Sequence, residues 1–143
     1  MGFFKNYSPD QVVFSFNGVN VTGYFDGTFI EVERDEDSFT KHVGALGDVT
    51  RTRNLNRSGK VTVTLKSEAP VNDILAALNV ADEQFGLNYG AMMLSDLNGN
   101  MLVRATQAWI MKAPKVERAK ESGSVQWVFD CADLFVFPGG NIV

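Results

Sequence analysis

The chain has 143 residues, of which 45% are hydrophobic and 11% aromatic, with 13 Lys plus Arg against 17 Asp plus Glu. That length predicts one domain, residues 1–143, with a core large enough to need neither metal nor disulfide, and the excess of acid disfavours a general nucleic-acid binder. A lone cysteine, Cys131, and a lone histidine, His42, exclude a disulfide framework and any site needing two imidazoles.

Strand-like alternation dominates from the start. Val12, Phe14 and Phe16 alternate with Gln11, Val13 and Ser15, and Asn17-Gly18 follows as a turn pair that tolerates positive φ. A hairpin of residues 11–16 with 19–25 is expected. Next comes an acidic run, Glu31, Glu33, Asp35, Glu36 and Asp37, whose first three members share a face if the segment is extended. Residues 35–59 are irregular and charged, and such length inside a compact domain marks either a binding loop or a hairpin of its own. Val61, Val63 and Leu65 return to strand alternation.

After Pro70 the period changes. Ile74, Leu75, Leu78, Ala81 and Phe85 recur at helical spacing, with Asn72 or Ser67 as the expected cap and Gly86 as the stop. Asn98-Gly99 then predicts a second hairpin, of 91–97 with 101–106. Val125, Trp127, Phe129 and Cys131 alternate as a last strand, Trp109 and Trp127 are expected in the core, and the tail from Leu134 is apolar before turning Gly-rich. The expected fold is mainly β: a sandwich or barrel of seven or eight strands, one α-helix over about 71–85, and a long charged loop over about 35–59.

Sites for chemistry are missing. A nucleophile–histidine arrangement would have to join His42, in the charged loop, to Cys131, in a strand. Cys-x-x-Cys and His-x-x-x-His spacings do not occur, and Gly44-Ala45-Leu46-Gly47 lacks the glycine or lysine that would cradle phosphate. The run from Asp96 opens like a calcium loop, yet its sixth and twelfth places hold Met101 and Gln107 instead of glycine and glutamate. No catalytic residue, metal or cofactor is therefore assigned. No apolar run nears the ~20 residues of a bilayer crossing, and the N-terminus lacks an apolar export signal, so neither membrane anchor nor secretion is expected.

Charge segregation is the informative feature. Arg51, Arg53, Arg57 and Lys60 fall in a stretch, 49–67, that holds no acid, just after the acidic run. On one face the two sets neutralise each other within the molecule. On opposite faces, one copy's bases meet another copy's acids, a head-to-tail contact that propagates into rings or filaments.

The string Asp26-Gly27-Thr28-Phe29-Ile30-Glu31-Val32-Glu33-Arg34-Asp35-Glu36-Asp37-Ser38-Phe39-Thr40 resembles a segment of the tail tube proteins of contractile-tailed bacteriophages. Matching stretches follow in order: Thr52-Arg53-Asn54, Asn56-Arg57-Ser58-Gly59, Asn72-Asp73-Ile74-Leu75, Ala108-Trp109-Ile110 and Asp130-Cys131-Ala132-Asp133-Leu134. The resemblance implies a small β domain with one helix, a homo-oligomer whose six-membered rings stack head to tail, and a hollow tube through which DNA passes without specific binding. It also implies contact with tail sheath and other tail proteins, a place in the virion tail, and assembly in the host cytoplasm. The long loop would reach the neighbouring ring, with Arg51, Arg53 and Arg57 meeting Glu33, Asp35 or Glu36. Phe39, Val43, Leu46 and Leu55 would be its apolar contacts, unless they fold back onto their own core. The alternative is a small non-enzymatic, tail-associated domain that docks another virion protein through this loop.

Overall fold

The structure, a computed structural model, describes residues 12–86, 89–97, 101–115 and 123–139. Its strands are β1 (Val12–Phe16), β2 (Val19–Val21), β3 (Ile30–Arg34), β4 (Phe39–Val43), β5 (Val49–Arg53), β6 (Gly59–Lys66), β7 (Gly90–Asp96), β8 (Leu102–Lys112), β9 (Ser124–Cys131) and β10 (Leu134–Phe137), with one helix, α1 (Val71–Phe85), between β6 and β7. Eight strands form one antiparallel sheet in the order β2-β1-β7-β8-β9-β6-β3, with β10 also on β8, while among the described strands β4 and β5 pair only with each other. Cys131 pairs with Ala108 and Leu134 with Ala105 in unbroken register. β9 and β10 therefore run along one edge of β8 as a single strand interrupted at Ala132 and Asp133.

Alternation turns one face of each strand inward. Phe14, Phe16, Val61, Val63, Leu65, Trp127, Phe129 and Cys131 are all buried. The Phe129 ring lies 5.4 Å from that of Phe14 and 4.9 Å from that of Phe16, centroid to centroid. Since β7 and β8 separate β1 from β9 in the sheet, this contact across the core shows that the sheet coils over on itself as a sandwich. It does not close into a barrel, because β2 and β3 remain its edges. The described strands number ten, not seven or eight. The excess comes from the charged loop, which folds as the β4–β5 hairpin.

Local chemistry explains the boundaries. Asn17 and Gly18 both take positive φ at the first turn. β2 stops at Val21, short of the expected residue 25, because the chain turns at Gly23 and follows β6 instead: Lys66 N–H donates to Gly23 O, Phe25 N–H to Thr64 O and Thr64 N–H to Phe29 O. The second expected turn, at Asn98-Gly99, lies outside the described residues; the strands on either side of it pair as expected.

The helix spans Val71–Phe85 and ends at Gly86, whose left-handed φ of 68° lets its N–H reach Asp82 O at 2.7 Å. Its start departs from expectation. Pro70 holds the N-cap place and no side chain caps the helix. Asn72 serves another purpose: its amide donates to the carbonyls of Lys66 (2.9 Å) and Ser67 (3.3 Å), and its oxygen accepts the Trp127 Nε1–H bond at 3.0 Å. The side chain thus ties α1 to β6 and β9. Trp127 is buried as expected, whereas Trp109 is only half-buried, since it pairs with Asp130 on the outer face of the sheet.

Two predictions arise from this packing. At Gly59, where β6 meets β3 and β10, a Cβ would lie 2.5 Å from Leu134 Cδ2 and 2.7 Å from the Glu33 carbonyl oxygen. Backbone cannot yield cheaply, so Gly59→Ala is expected to cost ~1–3 kcal/mol in a urea titration. Burial also pushes the Cys131 thiol and the Tyr24 phenol each up to about 12, from 9.0 and 10.0. On raising the pH, the unfolded chain ionises first, so stability is full below about pH 9 and falls from there towards pH 12. Unfolding midpoints at rising pH check this, and a flat profile would contradict it.

Candidate assembly surface

β3 carries Glu31 and Glu33 on its exposed face, with Ile30 and Val32 turned towards the core. Glu33 pairs with Lys60 across β6, and Lys60 in turn pairs with Asp130 on β9, a row of alternating sign within one subunit. Beyond Arg34 the chain leaves the sheet through a neck. Asp35 N–H donates to Ser58 O (3.1 Å), and Ser58 Oγ donates to the Asp35 carboxylate (2.8 Å). Asn54 N–H donates to Ser38 O (2.8 Å), and its side-chain amide donates to Glu36 Oε2 at 2.6 Å. That bond from Asn54 holds the Glu36 carboxyl below its ordinary range. Arg57 Nη1 donates to Asn54 O at 2.8 Å, and Arg57 O accepts the N–H of Leu134.

The sequence-predicted residues thus separate into two groups. Asp35, Glu36 and Arg57 are joined within the chain and build the neck. Phe39, Val43, Leu46, Arg51 and Arg53 project on the hairpin, Leu55 lies 74% exposed on its return, and Glu33 stays on β3.

Every residue of β4 and β5 is exposed. Register puts Phe39 opposite Arg53, Lys41 opposite Arg51 and Val43 opposite Val49 on one face, while Thr40, His42, Thr50 and Thr52 make the other. The Arg51 guanidinium lies over the Phe39 ring at 4.3 Å. At the tip, Gly44 N–H bonds to Asp48 O, Gly47 takes a φ of 90° that suits glycine, and Leu46 is left 94% exposed. Lys41 and Val49 were not singled out from sequence. The alternation Phe39-Lys41-Val43 was the available signal, hidden by reading the segment as irregular.

A two-stranded hairpin is marginal alone in water, and this one also sets two cations directly opposite each other. Its apolar end and basic stem are left exposed to solvent in the single subunit. Among the described residues, no group of three or more His, Cys, Asp or Glu could hold a metal ion, and no helix is long and apolar enough to cross a membrane.

The fold is shared with chains of contractile injection systems. The chain superposes with a TM-score of 0.58 on the tube-terminating cap of the anti-feeding prophage, at 8% identity over 96% of this chain and 95% of that one. It does so equally on a chain of the sheath–tube complex of the extracellular contractile injection system PVC in its extended state, at 8% identity, covering 93% and 92%. The family model for the bacteriophage PhiTE tail tube protein matches residues 10–138, and the chain belongs to that family. A relative, structural protein ORF10 of Pseudomonas phage KPP10, is 29% identical over 145 residues, 96% of this chain and 84% of that protein. The protein is thus a phage tail structural protein.

Proposed function

We propose that this chain, as a single tail-tube-like domain over residues 1–143, is the repeating subunit of the tail tube. Copies close laterally into rings, six to a ring, and the rings stack head to tail into a conduit for DNA ejection within the virion tail. The observation that carries this reading is the β4–β5 hairpin, exposed on both faces and tipped by Leu46. Among the described strands β2 and β3 have unpaired edges, and these support lateral closure, which removes exposed edges. An excess of four acidic charges suits a bore that must release its cargo, since phosphates gain no counterion-release affinity from carboxylates. Sheath and other tail proteins are the expected outer partners, the host cytoplasm is the expected place of assembly, and the role needs no catalysis.

Asp35, Glu36 and Arg57 already bond within the neck, so Lys41, Arg51 and Arg53 are the cations left for a neighbour. Exposed ion pairs contribute only ~0–1 kcal/mol each, whereas burying a Leu or Val side chain contributes ~1.5–3 kcal/mol. The apolar tip therefore sets the affinity and the charges steer. Arg51→Glu with Arg53→Glu should raise the concentration needed for assembly, and by less than Leu46→Asp does, in sedimentation velocity runs. Raising salt to ~1 M, where the Debye length is about 3 Å, should weaken the wild type modestly. Assembly indifferent to all three changes would sink the stacking role.

A second reading, a tail-associated domain that docks a different virion protein through the same hairpin, draws on the likeness to a tube-terminating cap. It predicts a chain that stays monomeric alone and binds that other protein through Leu46.

A further inference from the structure

The coiled sheet leaves a groove of about 490 Å³ where it fails to close. Phe29, Ile30 and Val32 line one side, and Leu94, Val103 and Val136 are among the residues that complete it. Asp96 is the one charged side chain among the described lining residues, and neither Lys nor Arg is present there. The rim continues the sign at Asp26, which is exposed and precedes the lining Gly27. None of the lining residues belongs to the hairpin.

We propose that this groove is the socket for the β4–β5 hairpin of a second copy of the chain, an inference that rests on the stacking role given to the hairpin above. The apolar end, Val43, Leu46 and Val49, matches an apolar groove. The basic stem, Lys41, Arg51 and Arg53, matches the acids at the groove, Asp96 in its lining and Asp26 beside it. Knob and socket are different surfaces of one chain, so each docking leaves a free knob on one copy and a free socket on the other. That contact is heterologous and propagates without limit, the geometry a stacked tube requires. It also covers the row of backbone groups along β3 that the described strands leave unpaired.

Disulfide trapping tests this directly, because the native Cys131 is fully buried and gives little background. Leu46→Cys protein is mixed with Thr28→Cys protein, Thr28 being an exposed residue of the groove, and the mixture is oxidised mildly under conditions of assembly. Bond formation needs Cα atoms within about 7 Å. The expected result is a band at twice the monomer mass in this mixture, and none when L46C is mixed with S124C, on exposed Ser124 of β9. Assembly with bonding to S124C, or with no bond to T28C, overturns the socket and leaves stacking standing. An intrachain bond in the double variant F4C/T28C also overturns it, since the groove then holds the chain's own N-terminal segment. A chain that neither sediments as an assembly nor cross-links overturns the tube reading itself, and the socket with it.

Discussion

Excising the hairpin is expected to abolish assembly while leaving the fold intact. In that variant residues 39–53 are replaced by a Gly-Gly turn between Ser38 and Asn54, whose backbones are already joined by a 2.8 Å hydrogen bond. No residue of β4 or β5 belongs to the buried core, and among the described residues the two strands pair with nothing but each other. The thermal midpoint should therefore move little. Assembly should respond differently. Losing the burial of Val43, Leu46 and Val49 removes several kcal/mol per contact, at ~1.5–3 kcal/mol for each side chain. Each 1.4 kcal/mol is about tenfold in affinity, so contacts should weaken by a hundredfold or more. Thermal melts beside sedimentation velocity check both halves. Unfolding on excision would show that the hairpin supports its own subunit, and unchanged assembly would remove its stacking role.

Phe129→Ala should give the opposite signature. The ring is fully buried against Phe14 and Phe16, where β1 and β9 meet across the core. Truncating a buried Phe costs ~3–5 kcal/mol through lost burial and the cavity left behind. Against a total stability of ~5–15 kcal/mol, that brings the domain near its limit. A urea titration should show the midpoint fall sharply, and assembly should fail only because folded subunits become scarce. A midpoint within ~1 kcal/mol of wild type would mean that the sandwich core collapses around the gap more fully than this packing allows.

These two variants separate what was legible in the sequence from what was not. The strands with one buried face announced themselves, because Val61-Val63-Leu65 and Trp127-Phe129-Cys131 must hide every second residue. The helix was equally legible, from the change of period after Pro70 to the left-handed Gly86. The β4–β5 hairpin was harder to read. With both faces exposed it carries no apolar-in, polar-out contrast, and its order is stated by pairing and by the Gly44–Asp48 turn. Charge composition left open whether the acids and bases share a face, and it could not show that Asp35, Glu36 and Arg57 are already bonded within the neck. The groove was invisible for a further reason. Its walls come from β3, β7, β8 and β10, which only the coiling of the sheet brings together.

The central claim is that this chain builds a tube by repeating one head-to-tail contact, and electron microscopy of the purified chain at rising concentration tests it most directly. Hollow tubes of regularly stacked rings, shortened or lost in the hairpin-excised variant, are the expected result. Particles that remain single subunits at every concentration, with wild type and variant indistinguishable, would contradict it.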